Sequence, residues 1–124
     1  MERVFTSSDI QAFSVVSQDK NPLHFNSETA NNSQFESPVV HGMLVASMFS
    51  ALVGNSIPGS IYLSQNLKWV HPVYAGDNII AKVEVLKLRK MHQSMIASMK
   101  TTCVNQDKVL VLEGQAMCQF PSVE

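Results

Sequence analysis

The stretch from Ser37 to Leu67 contains no Asp, Glu, Lys or Arg, although it makes up a quarter of the 124-residue chain. Charged residues are 15% of the whole sequence, against roughly 25% in an average soluble protein. The apolar part of this stretch runs from Val39 to Val53, which is shorter than the ~18–20 residues that a bilayer span requires. We therefore expect the segment to lie in the interior of a globular domain, and we expect no association with a membrane.

The composition of the whole chain excludes several classes of protein. Hydrophobic residues make up 45% of the sequence and the net charge is −1, so the chain can bury a core and is not disordered. Nine basic and ten acidic residues predict no strongly charged surface, and nucleic acid is therefore not an expected partner. The length predicts one domain over residues 1–124. The first residues lack the features of a targeting segment, which predicts a cytoplasmic protein, or an organellar one if such a segment has been removed.

The first half of the chain has helical patterns. Ser8-Asp9-Ile10-Gln11 resembles a capping box and predicts a helix from Ser8 to Ser17. Asn26 or Ser27 can begin a second, short helix. The main helix is predicted from Gly42 to Gly54, where apolar residues occur on nearly all sides, and such a helix is expected to be buried all round.

The second half reads as antiparallel strands over 60–70, 78–90, 94–104 and 109–120. A switch in the alternation at Leu86 predicts a bulge in the second strand, and Asn105–Lys108 predicts a hairpin turn. The first strand, 60–70, is expected at the centre of the sheet. The two cysteines, Cys103 and Cys118, are predicted to remain free. Helices followed by strands indicate an α+β domain with the hot-dog fold, in which a curved antiparallel sheet wraps around a buried central helix.

Asp19 and His24 are the residues that best fit a catalytic role. They flank the Asn21-Pro22 turn in a non-helical loop, so both side chains can approach one point. A carboxylate and an imidazole that share a water molecule can remove one proton and deliver another. From the residues alone, a structural role in hydrogen bonding within the loop is the favoured explanation of each residue. No phosphate-binding loop, nucleophile elbow or metal-ligand spacing occurs, and we expect neither a cofactor nor a metal.

Residues 13–24 resemble the hydratase-2 motif of MaoC-like (R)-specific enoyl-CoA hydratases. That motif has an aromatic residue, then Ser-x-Asp-x-Asn-Pro-Leu-His, then a small residue, here Ala30. Three further blocks, at 35–44, 59–65 and 73–77, are similar to the family in the same order. Many members have glycine before the aspartate, whereas this chain has Gln18. If that glycine uses a positive φ, the loop around Asp19 would change its shape.

The resemblance implies reversible syn addition of water to trans-2-enoyl-CoA, giving (R)-3-hydroxyacyl-CoA. Asp19 and His24 would hold the water, and Gly42 would bind the thioester oxygen, which agrees with the free N–H groups and dipole at a helix start. Simple packing at the helix start is the other explanation of Gly42. Ser50 and Val53, on one face of the central helix, would line the acyl pocket, although Ser50 could equally bond back to Ala46.

The resemblance also implies a homodimer in which two sheets join edge to edge, and an exposed sheet edge independently favours pairing. Two other functions stay open. One is a 3-hydroxyacyl-[acyl-carrier-protein] dehydratase, whose acidic carrier would need a basic dock such as Lys68, Lys87, Arg89 and Lys90. The other is a non-catalytic hot-dog module that binds acyl thioesters. His41 and His71 are interpreted as structural residues.

Overall fold

A curled antiparallel sheet and a central helix organise the chain, and our computed structural model describes residues 1–121. The helices are α1 (Ser7–Ser17), α2 (Ser27–Asn31) and α3 (Gly42–Ser56), with a 3-10 turn at Pro22–His24. The strands are β1 (Glu2–Val4), β2 (Ile61–Gln65), β3 (Lys68–Trp69), β4 (Asn78–Met91), β5 (Ser94–Val104) and β6 (Leu110–Pro121). The α+β hot-dog fold predicted from the sequence is confirmed.

The strands are ordered β1-β4-β5-β6-β2, and β3 also pairs with β6. The predicted bulge is present as a register shift between Val85 and Lys87, and the turn at residues 105–108 joins β5 to β6. The prediction of a central strand over 60–70 is wrong, because β2 lies at the edge of the sheet and the pairing breaks after Gln65. At this point the Asn66 carbonyl oxygen lies against Gly114, and any side chain at position 114 would clash with it.

The concave side of the sheet packs against one side of α3. Val45, Met48 and Phe49 of α3 are buried with Ile79 and Leu112 of the sheet in one core cluster. The opposite stripe of the helix is exposed, and it consists of Met43, Ser47, Ser50 and Gly54. The predicted burial on all sides is therefore wrong for the single chain, because the sheet ends at β2 before it encloses the helix. No helix within residues 1–121 is long and apolar enough to cross a membrane.

The first helix begins earlier than its sequence pattern suggested. Thr6, not Ser8, is the N-cap of α1, and it forms a capping box with Asp9. The pKa of the Asp9 carboxyl is lowered, first by the hydrogen bond from the Thr6 N–H. Asn26 caps α2, as predicted. Both cysteines are free and buried, and burial raises the pKa of the Cys103 thiol to about 12.

Candidate active site

The loop between α1 and the 3-10 turn, residues 18–24, is called the motif loop below. It begins at Gln18, which takes the left-handed conformation with φ of 63° and donates its N–H to the Ser14 carbonyl at 2.8 Å. This is the backbone shape that glycine adopts most easily at a helix C-terminus. Gln18 adopts it in place of glycine, so the sequence departure leaves the turn after α1 intact.

Asp19 is fixed at its backbone and at its side chain. Its N–H donates to Ser17 Oγ at 3.1 Å, and its carboxylate Oδ1 accepts from the Asn21 N–H at 3.2 Å. Asn21 in turn accepts from the Leu23 N–H at 3.1 Å, with Pro22 as the first residue of the 3-10 turn. Because Pro22 has no N–H and a fixed φ, it suits this first position. The Asn-Pro pair therefore sets the distance from Asp19 to His24.

His24 presents an imidazole nitrogen to Asp19. Its Nδ1 lies 2.7 Å from the Val39 carbonyl, and because a carbonyl oxygen only accepts, Nδ1 carries the proton. In the neutral ring Nε2 therefore keeps its lone pair, and the Nε2 atom lies 3.9 Å from Asp19 Oδ2. That separation is too long for a direct hydrogen bond and is suited to groups that share a water molecule. The predicted approach of these two side chains is thus present in the structure.

A second histidine, His41, lies directly behind His24, and its side chain is 1% exposed. The two rings stack with centroids 3.7 Å apart and an interplanar angle of 22°. His41 Nε2 lies 3.1 Å from both Ser14 Oγ and the Asp19 carbonyl. Burial lowers the pKa of His41 more than the Asp19 carbonyl contact raises it, so the neutral ring is favoured. Apart from a histidine that precedes the main helix, no sequence pattern indicates this arrangement.

Asp19, His24 and His41 together resemble a set of metal ligands, since one ligand atom of each lies within 4.8 Å of the others. The ring geometry does not fit that use. Lone pairs of stacked imidazoles lie in nearly parallel planes and cannot converge on one ion at ~2.0–2.1 Å. His41 Nε2 also faces the Asp19 carbonyl, to which it must donate. The cluster is therefore better suited to proton transfer than to metal binding.

A cavity of about 340 Å³ opens beside His24 and reaches the start of α3 at Gly42. Its wall is largely apolar and includes Phe35, Val39, Val45, Trp69, Val70 and Val73. The Trp69 indole lies over Gly42, where a Cβ would be 2.5 Å from Trp69 Nε1. Glycine is thus needed here for close packing, whatever its role toward a ligand. Trp69 is a cavity residue that the sequence reasoning missed.

The other predicted site residues lie outside the wall of this cavity. Asp19 is half-exposed beside it, and only His24 of the pair lines it. Ser50 and Val53 lie about 12 and 16 Å further along α3 at 1.5 Å per residue. Ser50 is exposed and, within the described residues, its hydroxyl has no partner at Ala46, whereas Val53 is buried in a second core cluster. One chain therefore brings together Asp19, His24 and Gly42, and leaves Ser50 and Val53 apart from them.

The curled sheet around α3 defines a hot-dog domain, and it carries an Asp19–His24 pair beside an apolar cavity. Residues 1–107 match the family model described as MaoC like domain. The (R)-specific enoyl-CoA hydratase of Aeromonas caviae is 41% identical over 123 residues, covering 98% of this chain and 90% of the relative. A solved structure of the (R)-hydratase from A. caviae superimposes with a TM-score of 0.89 at 40% identity, covering 98% and 92% of the two chains.

A third relative, the mitochondrial 3-hydroxyacyl-[acyl-carrier-protein] dehydratase of Solanum lycopersicum, is 41% identical over 121 residues. The match covers 98% of this chain and 73% of the relative. The chain belongs to the MaoC-like family, as the resemblance in its motif predicted. It is an enzyme of the hydro-lyase class.

Proposed function

We propose that this chain catalyses the reversible hydration of trans-2-enoyl-CoA to (R)-3-hydroxyacyl-CoA. The observation that carries the proposal is the orientation of His24. Its Nδ1–H is held by the Val39 carbonyl, so the Nε2 lone pair faces the Asp19 carboxylate across 3.9 Å beside an apolar cavity. A water molecule between those two groups would lie next to an acyl chain in the cavity. The relatives named as hydratases support the reaction class.

In the hydration direction, His24 Nε2 takes a proton from the water as its oxygen forms a bond to C3 of the enoyl group. In this cycle Asp19 begins with its carboxyl protonated, delivers that proton to C2 and becomes the carboxylate. His24 then passes the proton taken from the water to Asp19, which restores the pair. The number of protons on the pair is unchanged over the cycle, so the two groups act as one coupled unit. Because both side chains act from one side of the double bond, the addition is syn.

Negative charge develops on the thioester oxygen as C3 is attacked. We assign the backbone N–H of Gly42 as the donor that stabilises this charge. Gly42 begins a 15-residue helix, where N–H groups lack intrahelical acceptors and the dipole favours negative charge. His41, the N-cap residue, makes no side-chain capping bond, so its imidazole leaves the N–H groups of the first turn uncovered. A donor aimed at a developing oxyanion contributes about 10²–10³ in rate.

The test is the loss of enoyl absorbance when purified protein is mixed with crotonyl-CoA. Asp19→Asn and His24→Gln are each expected to lower kcat by about 10²–10⁴, because each removes one partner in proton transfer. Asp107→Asn and His92→Gln are matched controls in exposed turns, and they should keep wild-type rates. No hydration by the wild type, or full activity in the two site variants, would contradict the proposal. Binding of crotonyl-CoA without turnover would instead favour the non-catalytic module.

A second candidate substrate is a 3-hydroxyacyl group on acyl carrier protein, favoured by the name of the tomato relative. The carrier is acidic, and Lys68 is an exposed cation in β3, one residue before the cavity residue Trp69 and on the opposite side of the strand. Lys87, Arg89 and Lys90 are exposed further away on β4. Matched CoA and carrier-protein thioesters should be compared in wild type and in Lys68→Glu. A loss of rate confined to the carrier substrate would identify it as the physiological one.

Ser50 and Val53 retain their proposed role in binding the acyl chain. Both lie in the C-terminal half of α3, far from Gly42, so only longer acyl chains would reach them. Val53→Phe should therefore lower kcat/KM for long enoyl-CoA substrates and leave the rate with crotonyl-CoA nearly unchanged. An equal effect at every chain length would remove these residues from the acyl site.

We also propose that the working form is a homodimer joined through β2. The strand is an unpaired edge, and Ile61 and Leu63 on it are 57% and 46% exposed. Exposed edge strands are usually covered or paired, and this one lacks the charged residues that discourage pairing. The cytoplasmic location expected from the sequence stays a prediction, while the plant relative, which is mitochondrial by name, favours an organelle.

A further inference from the structure

His41 touches both members of the Asp19–His24 pair, through different parts of its ring. We propose that His41 is a positioning residue for the hydration reaction: its Nε2–H fixes the main chain of Asp19, and its ring face fixes the plane of the His24 imidazole. The proposal rests on the proposed function for its kinetic consequences. Its structural basis is independent of any substrate.

The first contact acts on Asp19 through its carbonyl oxygen. That oxygen accepts from Ser14 Oγ at 2.8 Å and lies 3.1 Å from His41 Nε2. Because the oxygen can only accept, His41 Nε2 carries the proton. Since the Asp19 N–H is bound to Ser17 Oγ, the peptide units on both sides of the Asp19 Cα are held by hydrogen bonds. The left-handed Gln18 that precedes Asp19 can persist only where surrounding contacts determine the backbone in this way.

The second contact acts on His24. One hydrogen bond, from Nδ1 to the Val39 carbonyl, holds the His24 ring at its edge but leaves it free to rotate about that bond. The His41 ring, stacked at 3.7 Å and 22°, covers one face and removes that freedom. His41 is itself supported by the edge of Phe13, whose ring centroid is 4.9 Å away. Phe13, His41 and His24 are therefore three rings in successive contact, T-shaped between Phe13 and His41 and stacked between His41 and His24.

The remaining nitrogen of His41 argues against a role in packing alone. With the proton on Nε2, Nδ1 is an acceptor, and it is buried with no hydrogen-bond partner within residues 1–121. A buried polar atom without a partner lowers stability, and a phenyl ring of similar shape would avoid that loss. A histidine therefore costs stability at this position compared with an apolar ring. Its Nε2–H donor, which binds the Asp19 carbonyl, explains why a histidine is present.

Two variants separate the two contacts. His41→Phe keeps a ring to stack on His24 and loses the donor, whereas His41→Gln keeps an N–H donor and loses the ring. We expect each to lower kcat for crotonyl-CoA by about 10- to 100-fold, with KM changed less than about 2-fold, since misplacement of reacting groups affects turnover. His41→Phe should unfold at the same or a higher denaturant concentration than wild type. His92→Gln, at an exposed turn, is the control.

Ser14→Ala tests the shared carbonyl. Ser14 and His41 both act on the Asp19 oxygen, so Ser14→Ala and His41→Phe should combine to less than the product of their separate effects on kcat. Wild-type kcat in His41→Phe and His41→Gln would overturn the proposal. A fall in activity matched by a fall in the folded fraction would also overturn it, because it would show a packing role alone.

Nitrogen NMR of the histidine side chains gives a readout that does not depend on activity. The proposal expects His41 as the neutral Nε2–H tautomer and His24 as the Nδ1–H tautomer. The His24 ring proton should exchange with water at least about 10-fold faster in His41→Gln than in His41→Phe, because only the latter keeps the stack. Equal exchange in both variants would overturn the stacking role. A wild type with these spectra but no hydration activity would contradict the proposed function and leave the positioning geometry in place.

Discussion

The motif loop (residues 18–24) and the charge-free segment (residues 37–67) are both parts of the site, but they are stabilised in opposite ways. In the motif loop and its supports, short polar side chains pair with the backbone of Asp19 and its neighbours. In the charge-free segment, α3 is held mainly by apolar packing, and the side-chain hydrogen bonds are concentrated at His41 and at Tyr62–Asn66. The segment also leaves large apolar side chains exposed. Met43 and Ile61 are each 57% exposed, and Leu63 is 46% exposed.

This contrast indicates which part of the site is complete in a single chain. The motif loop reaches its working geometry through contacts within about 25 residues of sequence, so the Asp19–His24 pair is formed without a partner. The charge-free segment contributes Gly42 and the core side of α3, while its other side faces away from the sheet. We infer that this second side is completed by another copy of the chain.

The largest effect is expected at Gly42, in the charge-free segment. Gly42→Ala places a methyl group 2.5 Å from Trp69 Nε1, so the indole must move. We expect a loss of about 1–3 kcal/mol in unfolding free energy, as for overpacked cores. We also expect about a 10²-fold loss in kcat, because the methyl group keeps the thioester oxygen from the helix start. Urea unfolding and crotonyl-CoA hydration measure the two effects.

Trp69→Leu distinguishes the two explanations of this glycine. In the Trp69→Leu background, Gly42→Ala should no longer lower stability, because the indole is absent. If Gly42 contacts the thioester oxygen, the loss of kcat should remain. Recovery of both stability and activity in the double variant would show that glycine serves only the packing of Trp69.

The next effect is expected at the β2 edge. Leu63→Lys puts a charge on the free edge strand and should turn a dimer into a monomer at micromolar concentration, measured by analytical ultracentrifugation. Leu88→Lys is the matched control, because Leu88 is 52% exposed on β4, away from that edge. Dissociation by Leu88→Lys alone would place the interface elsewhere. A monomeric wild type with full activity would contradict the contribution of a second copy.

Local features such as those of the motif loop were predicted from the sequence better than the surroundings of the charge-free segment, because they depend on neighbouring residues only. The Asn-Pro turn, the Asn26 cap of α2 and the bulge at Leu86 depend on neighbouring residues, and each is present in the structure. The place of residues 60–70 at the sheet edge depends on the pairing of β6 with β5 on one side and with β2 and β3 on the other, and local alternation does not encode it. The sequence pattern predicted that the stripe Met43, Ser47, Ser50 and Gly54 is part of the core, because small and apolar residues are typical of a buried helix and local sequence does not show where the sheet ends.

His41 should make stability depend on pH. Burial lowers its pKa below the usual 6.5, so below that pH the unfolded chain binds a proton that the native chain does not. Unfolding free energy is therefore expected to fall as pH falls through about 6.5, by at most about 1.4 kcal/mol per pH unit. Urea titrations at pH 7.5 and 5.5 should show this dependence in wild type and His92→Gln. His41→Phe should lose part of it, and an unchanged dependence would show that other groups cause it.

The smallest effect is expected at Gln18. A non-glycine residue in the left-handed region is strained by about 1 kcal/mol, and Gln18→Gly should raise the unfolding free energy by up to that amount. Gln93→Gly is a close control, since Gln93 has φ of 64° in the turn between β4 and β5. Both variants should gain similar stability. Gln18→Gly should keep kcat within about 2-fold, because Ser17, Ser14 and His41 still hold the Asp19 peptide. A 10-fold loss of kcat confined to Gln18→Gly would mean that those bonds are insufficient, and that a stiff residue before Asp19 is itself part of the site.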